Sequence, residues 1–100
     1  MLNTDKLGPM HEHIEASRCL TMTYNNLGVY FKQEKKENVA IKYLKKVVEI
    51  EEQMVNCQTQ KTDLAQSYIN ICSIYSEMRK HEIALHYAEQ AVKILDAEYE

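Results

Sequence analysis

The segment YNNLGVYF at residues 24–31 decides the fold, because a related segment, YINICSIY, follows it at residues 68–75. Both segments begin and end with an aromatic residue. Both are followed nine positions later by an alanine, Ala40 in the first copy and Ala84 in the second. The chain therefore carries two copies of one unit, offset by 44 residues.

Each copy has the apolar periodicity of two helices. In the first copy, apolar residues recur at three- and four-residue spacing over residues 20–31 and again over 39–48, with the polar stretch 32–38 between them. The second copy repeats this pattern over residues 64–75 and 83–92. We therefore predict an all-α fold of stacked antiparallel helix pairs.

Small residues within these periodic runs indicate where the paired helices approach each other. Gly28 lies inside the first helix, where glycine costs about 1 kcal/mol relative to alanine, so a packing reason is expected. Ala40 is expected to face it from the partner helix. Cys72 and Ala84 take these positions in the second copy. The aromatic residues at the ends of the two quoted segments are expected to fill the space around these contacts.

This pattern resembles the tetratricopeptide repeat. The family pattern W-x2-L-G-x2-Y followed by A-x3-F appears in the first copy as Tyr24-x2-Leu27-Gly28-x2-Phe31 and Ala40-x3-Leu44. The second copy has Tyr68-x2-Ile71-Cys72-x2-Tyr75 and Ala84-x3-Ala88. The resemblance covers residues 18–97. It implies an α-α superhelix with two repeats, at about 18–56 and about 62–97.

The chain departs from the family pattern in two respects. The terminal proline is missing, and the period is 44 residues where the family has 34. The added residues lie between Glu51 and Asp63, where we expect the helix to continue through Met54 and Val55. Long repeats with a doubled Asn before Leu are similar to those of kinesin light chains and related adaptors, and Tyr24–Tyr30 carries that likeness.

The ends and the cysteines suggest a domain division and a location. We expect an N-terminal tail at 1–8 and a helical repeat domain at 9–100, with Pro9 in the first helical turn. The cysteines are few and widely spaced, which predicts free thiols in a reducing compartment: Cys19, Cys57 and Cys72. We expect a cytoplasmic protein, with a cytoskeletal or ciliary location as the more specific alternative.

Composition and motifs exclude several classes of function. The net charge of −3 does not suit a nucleic-acid-binding protein, and no apolar run reaches the ~18 residues of a membrane span. His11 and His13 are two apart, a spacing that does not bring side chains together on a helix, so no metal site is expected. Four glutamates are expected on a solvated face rather than in acid–base roles: Glu49, Glu51, Glu52 and Glu82. We therefore expect neither an enzyme nor a cofactor.

The candidate binding residues follow from the resemblance and a helical wheel. In tetratricopeptide arrays the first helix of each repeat lines the concave groove. The first core face lies within roughly 60° of Tyr24 and includes Leu20, and the opposite face lies roughly 140–200° away. That opposite face gives the predicted partner-binding residues of the first repeat, Met22, Asn26, Val29 and Gln33, and their equivalents Gln66, Asn70, Ser73 and Glu77.

Asn26 and Asn70 stand out on this face, because an Asn side chain has both a donor and an acceptor for a peptide backbone. In light-chain-type adaptors, Asn at the matching position binds peptide in this way. The alternative is that both side chains face water or a neighbouring helix. A clamp for a C-terminal carboxylate is not expected, since Asn25 and Val29 replace its Lys and Asn.

Two repeats are few, because each unit needs a neighbour to bury its apolar face. We therefore expect a larger complex or a self-associating array. The leading hypothesis is a scaffold that binds a partner peptide or helix in the concave groove. The alternative is a structural subunit packed within a cytoskeletal or axonemal assembly.

Overall fold

Four helices make up the described chain, and the all-α expectation is confirmed. The computed structural model describes the backbone of residues 2–54 and 61–99, and the side chains of residues 12–54 and 61–97. The helices are α1 (Leu2–Gln33), α2 (Glu37–Met54), α3 (Lys61–Glu77) and α4 (His81–Tyr99). Helix α1 packs on α2, α2 packs on α3, and α3 packs on α4.

The turns within the two helix pairs are the same structure. Lys35 and Arg79 adopt left-handed backbone conformations, with φ of 65° and 64°. Beyond them, the N–H of Lys36 donates to the carbonyl of Phe31, and the N–H of Lys80 donates to that of Tyr75, both at 2.9 Å. Each first helix therefore ends in a Schellman motif, here without the usual glycine. The hydrogen bonds that end α1 and α3 therefore join residues that are equivalent by the offset of 44 residues.

The close helix contact expected at Gly28 is confirmed. An ideal Cβ on Gly28 would lie 2.7 Å from Cδ2 and 2.8 Å from Cγ of Leu44, a side chain that is fully buried. The equivalent pair in the second repeat is Cys72 with Ala88. At these equivalent positions the larger side chain belongs to the first helix and the smaller one to the second.

Tyrosine rings fill the remaining space in each helix pair. The ring of Tyr43 lies between Tyr24 and Phe31, at centroid distances of 5.8 and 5.7 Å. In the second repeat the ring of Tyr87 lies between those of Tyr68 and Tyr75, at 5.9 and 5.8 Å. The aromatic residues of the repeat motif thus pack on the second helix, as the sequence predicted.

The start of α1 differs from the expectation. The helix begins at Leu2, so Pro9 lies in its interior and not in its first turn. Pro9 has no N–H for the carbonyl of Asp5, but its fixed φ is itself helical and the helix continues through it. The division into a tail (1–8) and a repeat domain (9–100) stays a prediction.

Two further expectations concern the first repeat. Helix α2 continues to Met54, as the long period predicted, while Val55 lies outside the described residues. Leu20 was expected in the core, yet it is exposed, whereas its equivalent Leu64 is buried. The difference arises because α3 has α2 packed on that side, and α1 has no element there among the described residues.

Candidate functional site

A groove lies between the two first helices, α1 and α3, with α2 as its floor. Its volume is about 530 Å³. The first helices supply its walls and the last two turns of α2 supply its base. The lining residues are Arg18, Thr21, Met22 and Asn25 of α1, Val47, Glu51 and Met54 of α2, and Asp63, Gln66, Ser67 and Asn70 of α3.

An acidic side chain lies at the base of this groove. The Ser67 hydroxyl donates a hydrogen bond of 2.6 Å to Oε1 of Glu51. Burial raises the pKa of the Glu51 carboxyl to about 7; the Ser67 hydrogen bond lowers it and nearby Asp63 raises it further. The expectation that Glu51 lies on a solvated face was wrong, because the periodicity of α2 does not reveal that α3 covers this side of it.

Amide side chains line both walls. Nε2 of Gln66 donates to Oδ1 of Asn70 at 3.1 Å, which orients the Asn70 amide along α3. Asn25 lies on the α1 wall. Each amide offers both a donor and an acceptor. Apolar surface comes from Met22, Val47 and Met54, so the groove combines polar and apolar contacts in the manner of ligand sites.

Three of the eight predicted partner-binding residues line this groove: Met22, Gln66 and Asn70. The other five lie elsewhere. Asn26, Val29 and Gln33 are exposed on α1 outside the groove, and Ser73 is half-buried on α3. Oε2 of Glu77 lies 3.6 Å from Nζ of Lys32, an ion pair that joins α1 and α3 about two turns beyond the groove.

The wheel explains why Asn25 was missed. Measured from Tyr24, the α1 residues of the groove cluster around roughly 100°, with Asn25 at their centre, whereas Asn26 lies at roughly 200°. On α3 the groove residues cluster on the opposite flank, at roughly 160–260° from Tyr68. A groove between parallel neighbours uses facing flanks of the two helices. Among the lining residues, Met22 and Gln66 are the one equivalent pair that both reach it, whereas Asn70 lines it and Asn26 does not.

The remaining sequence candidates that the structure describes do not line the groove. Among the residues the structure describes, no group of three or more His, Cys, Asp or Glu side chains is arranged to hold a metal ion. Cys19 is an exposed free thiol and Cys72 a half-buried one. The Cys57 and His11 side chains lie outside the described residues. In the described ranges, no helix combines the length and apolarity needed to cross a lipid bilayer.

Comparison with protein families supplies the classification. The Tetratricopeptide repeat family matches the chain twice, at residues 23–54 and 65–94. The two matched segments correspond to the two helix pairs of the structure. Comparisons with curated proteins and with solved structures found no match. The matched segments span more than half of the chain and coincide with its repeated helix pairs, so this protein belongs to the tetratricopeptide repeat family.

Proposed function

We propose that this protein is a protein–protein interaction scaffold that binds a peptide or helix of its partner in the groove between α1 and α3. The observation that carries the proposal is the groove itself, which is about 530 Å³ in volume and is lined by amide, hydroxyl and apolar side chains from three helices. Tetratricopeptide domains in general mediate protein–protein interaction, and this groove is lined by the first helices of both repeats.

The wall amides suit an extended backbone. Asn25 and Asn70 project from opposite walls, and each can donate to a carbonyl and accept from an N–H of a peptide between them. Because these contacts involve only backbone groups, they leave the partner's side chains free to set specificity.

The floor favours a basic partner side chain. Glu51 and Asp63 contribute acidic groups to the lining, and Arg18 contributes the basic one. Arg18 already has a partner, since its guanidinium lies 3.7 Å from the Glu15 carboxylate. A Lys or Arg of the peptide would hold Glu51 in its charged form and lower its pKa.

Adjacent asparagines provide a matched test. Peptides that bind the protein would be selected by phage display, and the Kd of one synthetic peptide measured by calorimetry. Asn25→Ala and Asn70→Ala should each weaken binding about 5- to 30-fold, because each removes a hydrogen bond worth about 1–2 kcal/mol. Asn26→Ala is the control, since it makes the same change one residue outside the groove.

The pattern of losses decides the matter. Weakening by Asn25→Ala and Asn70→Ala with an unchanged Asn26→Ala variant supports the groove. Equal affinity in all three variants, or a loss confined to Asn26→Ala, would show that the peptide binds elsewhere.

A second candidate function is that of a structural subunit within a larger assembly, such as a cytoskeletal or axonemal complex. Exposed apolar side chains at both outer helices favour it, among them Tyr30 on α1 and Leu85 on α4.

The scaffold proposal has three further parts. We propose that the protein resembles kinesin light chains and that it does not catalyse a reaction. We also propose a cytoplasmic location, with a cytoskeletal or ciliary one as the more specific alternative. The 44-residue period supports the light-chain likeness.

A further inference from the structure

The interface between α2 and α3 shows how one repeat packs on the next. Three contacts define the α2 side of it: Nζ of Lys45 lies 5.7 Å from the Tyr75 ring centroid, Glu51 accepts from Ser67, and Glu52 accepts from Tyr68. Viewed down the axis of α2, Ile41 and Val48 lie between Lys45 and Glu51, within one sector of roughly 120°. Ile41 and Val48 are 5% and 8% exposed.

The α4 helix carries the same face without a covering helix. Its equivalents of Ile41 and Val48, 44 residues later, are Leu85 and Val92. These side chains are 59% and 54% exposed. Leu85 and Val92 are therefore apolar at the two positions where α2 is buried by α3, and they stand open to solvent.

The α3 side of the interface has its own uncovered equivalent. On α3, Leu64, Ile71 and Ile74 fall in the same roughly 120° sector as the contact residues of that helix, and Ile74 is 1% exposed. The equivalents on α1 are Leu20, Leu27 and Tyr30. Leu20 is 43% exposed and Tyr30 is 53% exposed.

The chain thus presents the two mating halves of its own internal interface on its two outer helices. We propose that copies of this protein associate end to end, with α4 of one copy packing on α1 of the next as α2 packs on α3. The occupant is a second copy because each exposed face has its complement on the same chain.

Some of the polar contacts between α2 and α3 have equivalents between α4 of one copy and α1 of the next. Asp96 and Tyr24 are the equivalents of Glu52 and Tyr68, so a Tyr24 hydroxyl can donate to the Asp96 carboxylate of the neighbouring copy. Leu95 stands where Glu51 stands, which makes the junction between copies more apolar than the internal one. Glu89 replaces Lys45, so the contact between a lysine and an aromatic ring is not repeated.

Such an interface joins two different surfaces, so a pair of copies still has one free face at each end. Each added copy leaves one α4 face and one α1 face free, so association continues with concentration. A two-fold dimer that pairs α4 with α4 would instead stop at two copies. This difference allows the geometry to be tested with variants of the two faces.

The test uses two variants, each with one face blocked by charge. Leu85→Glu with Val92→Glu blocks the α4 face, and Leu20→Glu with Tyr30→Glu blocks the α1 face. All four side chains are exposed in a single copy, so the variants should fold, and circular dichroism would check this. Oligomeric mass would be measured by light scattering after gel filtration, at concentrations up to about 1 mM.

The unmodified protein should grow in mass with concentration, and each blocked variant alone should be monomeric. An equimolar mixture of the two should form a dimer and grow no further, because only one α4 face and one α1 face remain usable. Ile83→Glu and Gln33→Glu are the controls, since Ile83 and Gln33 are also exposed but their equivalents Val39 and Glu77 stay exposed at the internal interface. The controls should associate like the unmodified protein.

Two results would overturn the inference. One is an unmodified protein that stays monomeric at the highest concentration, which would mean that something other than a second copy covers these faces. The other is a blocked variant that still dimerises alone, which would mean that copies pair through like faces.

Discussion

At the scale of single residues, the two repeats solve one packing problem in two ways. Gly28 leaves room for the fully buried Leu44, whereas Cys72 is paired with the small Ala88. The glycine in the first repeat is therefore required by its partner side chain, not by the backbone, which is helical there. The sequence predicted the close contact from the glycine, but only the structure shows which side chain fills the space.

Gly28→Cys should destabilise the protein, because the new Cβ would meet Leu44 well inside van der Waals contact. The overpacking cost of about 1–3 kcal/mol exceeds the gain in helix propensity of under about 1 kcal/mol. Leu44→Ala alone should cost about 2–5 kcal/mol through the cavity it leaves. The double variant recreates the Cys72 and Ala88 pair and should lose much less than the sum, as urea unfolding would measure. Costs that simply add would show that the two positions do not share volume.

Glu51 should make stability depend on pH. Its pKa is about 7 in the folded protein against an ordinary 4.5, so between these values the folded state holds a proton that the unfolded state has lost. The contribution of Glu51 to the free energy of unfolding therefore falls as pH rises from 4.5 to 7. Glu51→Gln keeps an acceptor for Ser67 and removes the charge.

We expect Glu51→Gln to be more stable than the unmodified protein above pH 7, with the advantage vanishing near pH 4.5. The gain should be about 1 kcal/mol at most, because the groove is open to water and screens the charge. Thermal unfolding at several pH values measures it, and Glu49→Gln, on the exposed side of the same helix, is the control. An advantage that persists unchanged at pH 4.5 would contradict burial of the Glu51 charge.

At the scale of helices, the sequence predicted the pairs better than the contacts between pairs. The apolar period located four helices, and the repeated aromatic and small residues located the packing within each pair. The flank of α1 that faces α3 could not be read in this way, because the period of one helix does not say on which side its neighbour lies. For this reason Asn25 was not among the predicted residues and Glu51 was misread, whereas the predicted residue Asn70 lines the groove.

The contact between α2 and α3 can be tested through Tyr68. Its hydroxyl donates to Glu52, and burial together with this bond raises the pKa of Tyr68. Tyr68→Phe removes the bond while keeping the ring that lies against Tyr87, and should cost about 1–2 kcal/mol in the free energy of unfolding. Tyr24→Phe is the matched control in a monomeric sample, because the equivalent acceptor, Asp96, lies at the other end of the chain. Equal losses in both variants would show that the Glu52 bond contributes nothing of its own.

At the scale of the whole molecule, the two described repeats form a groove between them and leave an exposed apolar face on α1 and another on α4. The groove forms where two first helices lie side by side over a second helix, so two repeats are the smallest number that can make one. The outer faces are the two halves of the interface that builds the stack. The proposed peptide binding and the proposed end-to-end association would therefore use different surfaces, and each proposal can fail without the other.

Stacking would also add grooves. If α1 of a second copy packs beside α3, then Ile69, the equivalent of Asn25, would lie on the wall of a new groove between copies. Ile69 is an exposed apolar residue. A groove between copies would thus be more apolar on one wall than the groove within a copy, and would suit a different segment of the partner.

The measurement that tests the groove most directly is the shift of side-chain amide signals by NMR as a selected peptide is titrated into the protein. Asn25 and Asn70 report on the two groove walls, and Asn26 reports on the exposed side of α1 outside the groove. We expect the Asn25 and Asn70 signals to shift in proportion to occupancy and the Asn26 signal to stay in place. A shift of Asn26 while Asn25 and Asn70 stay unchanged would place the partner on the face opposite the core and contradict binding in the groove.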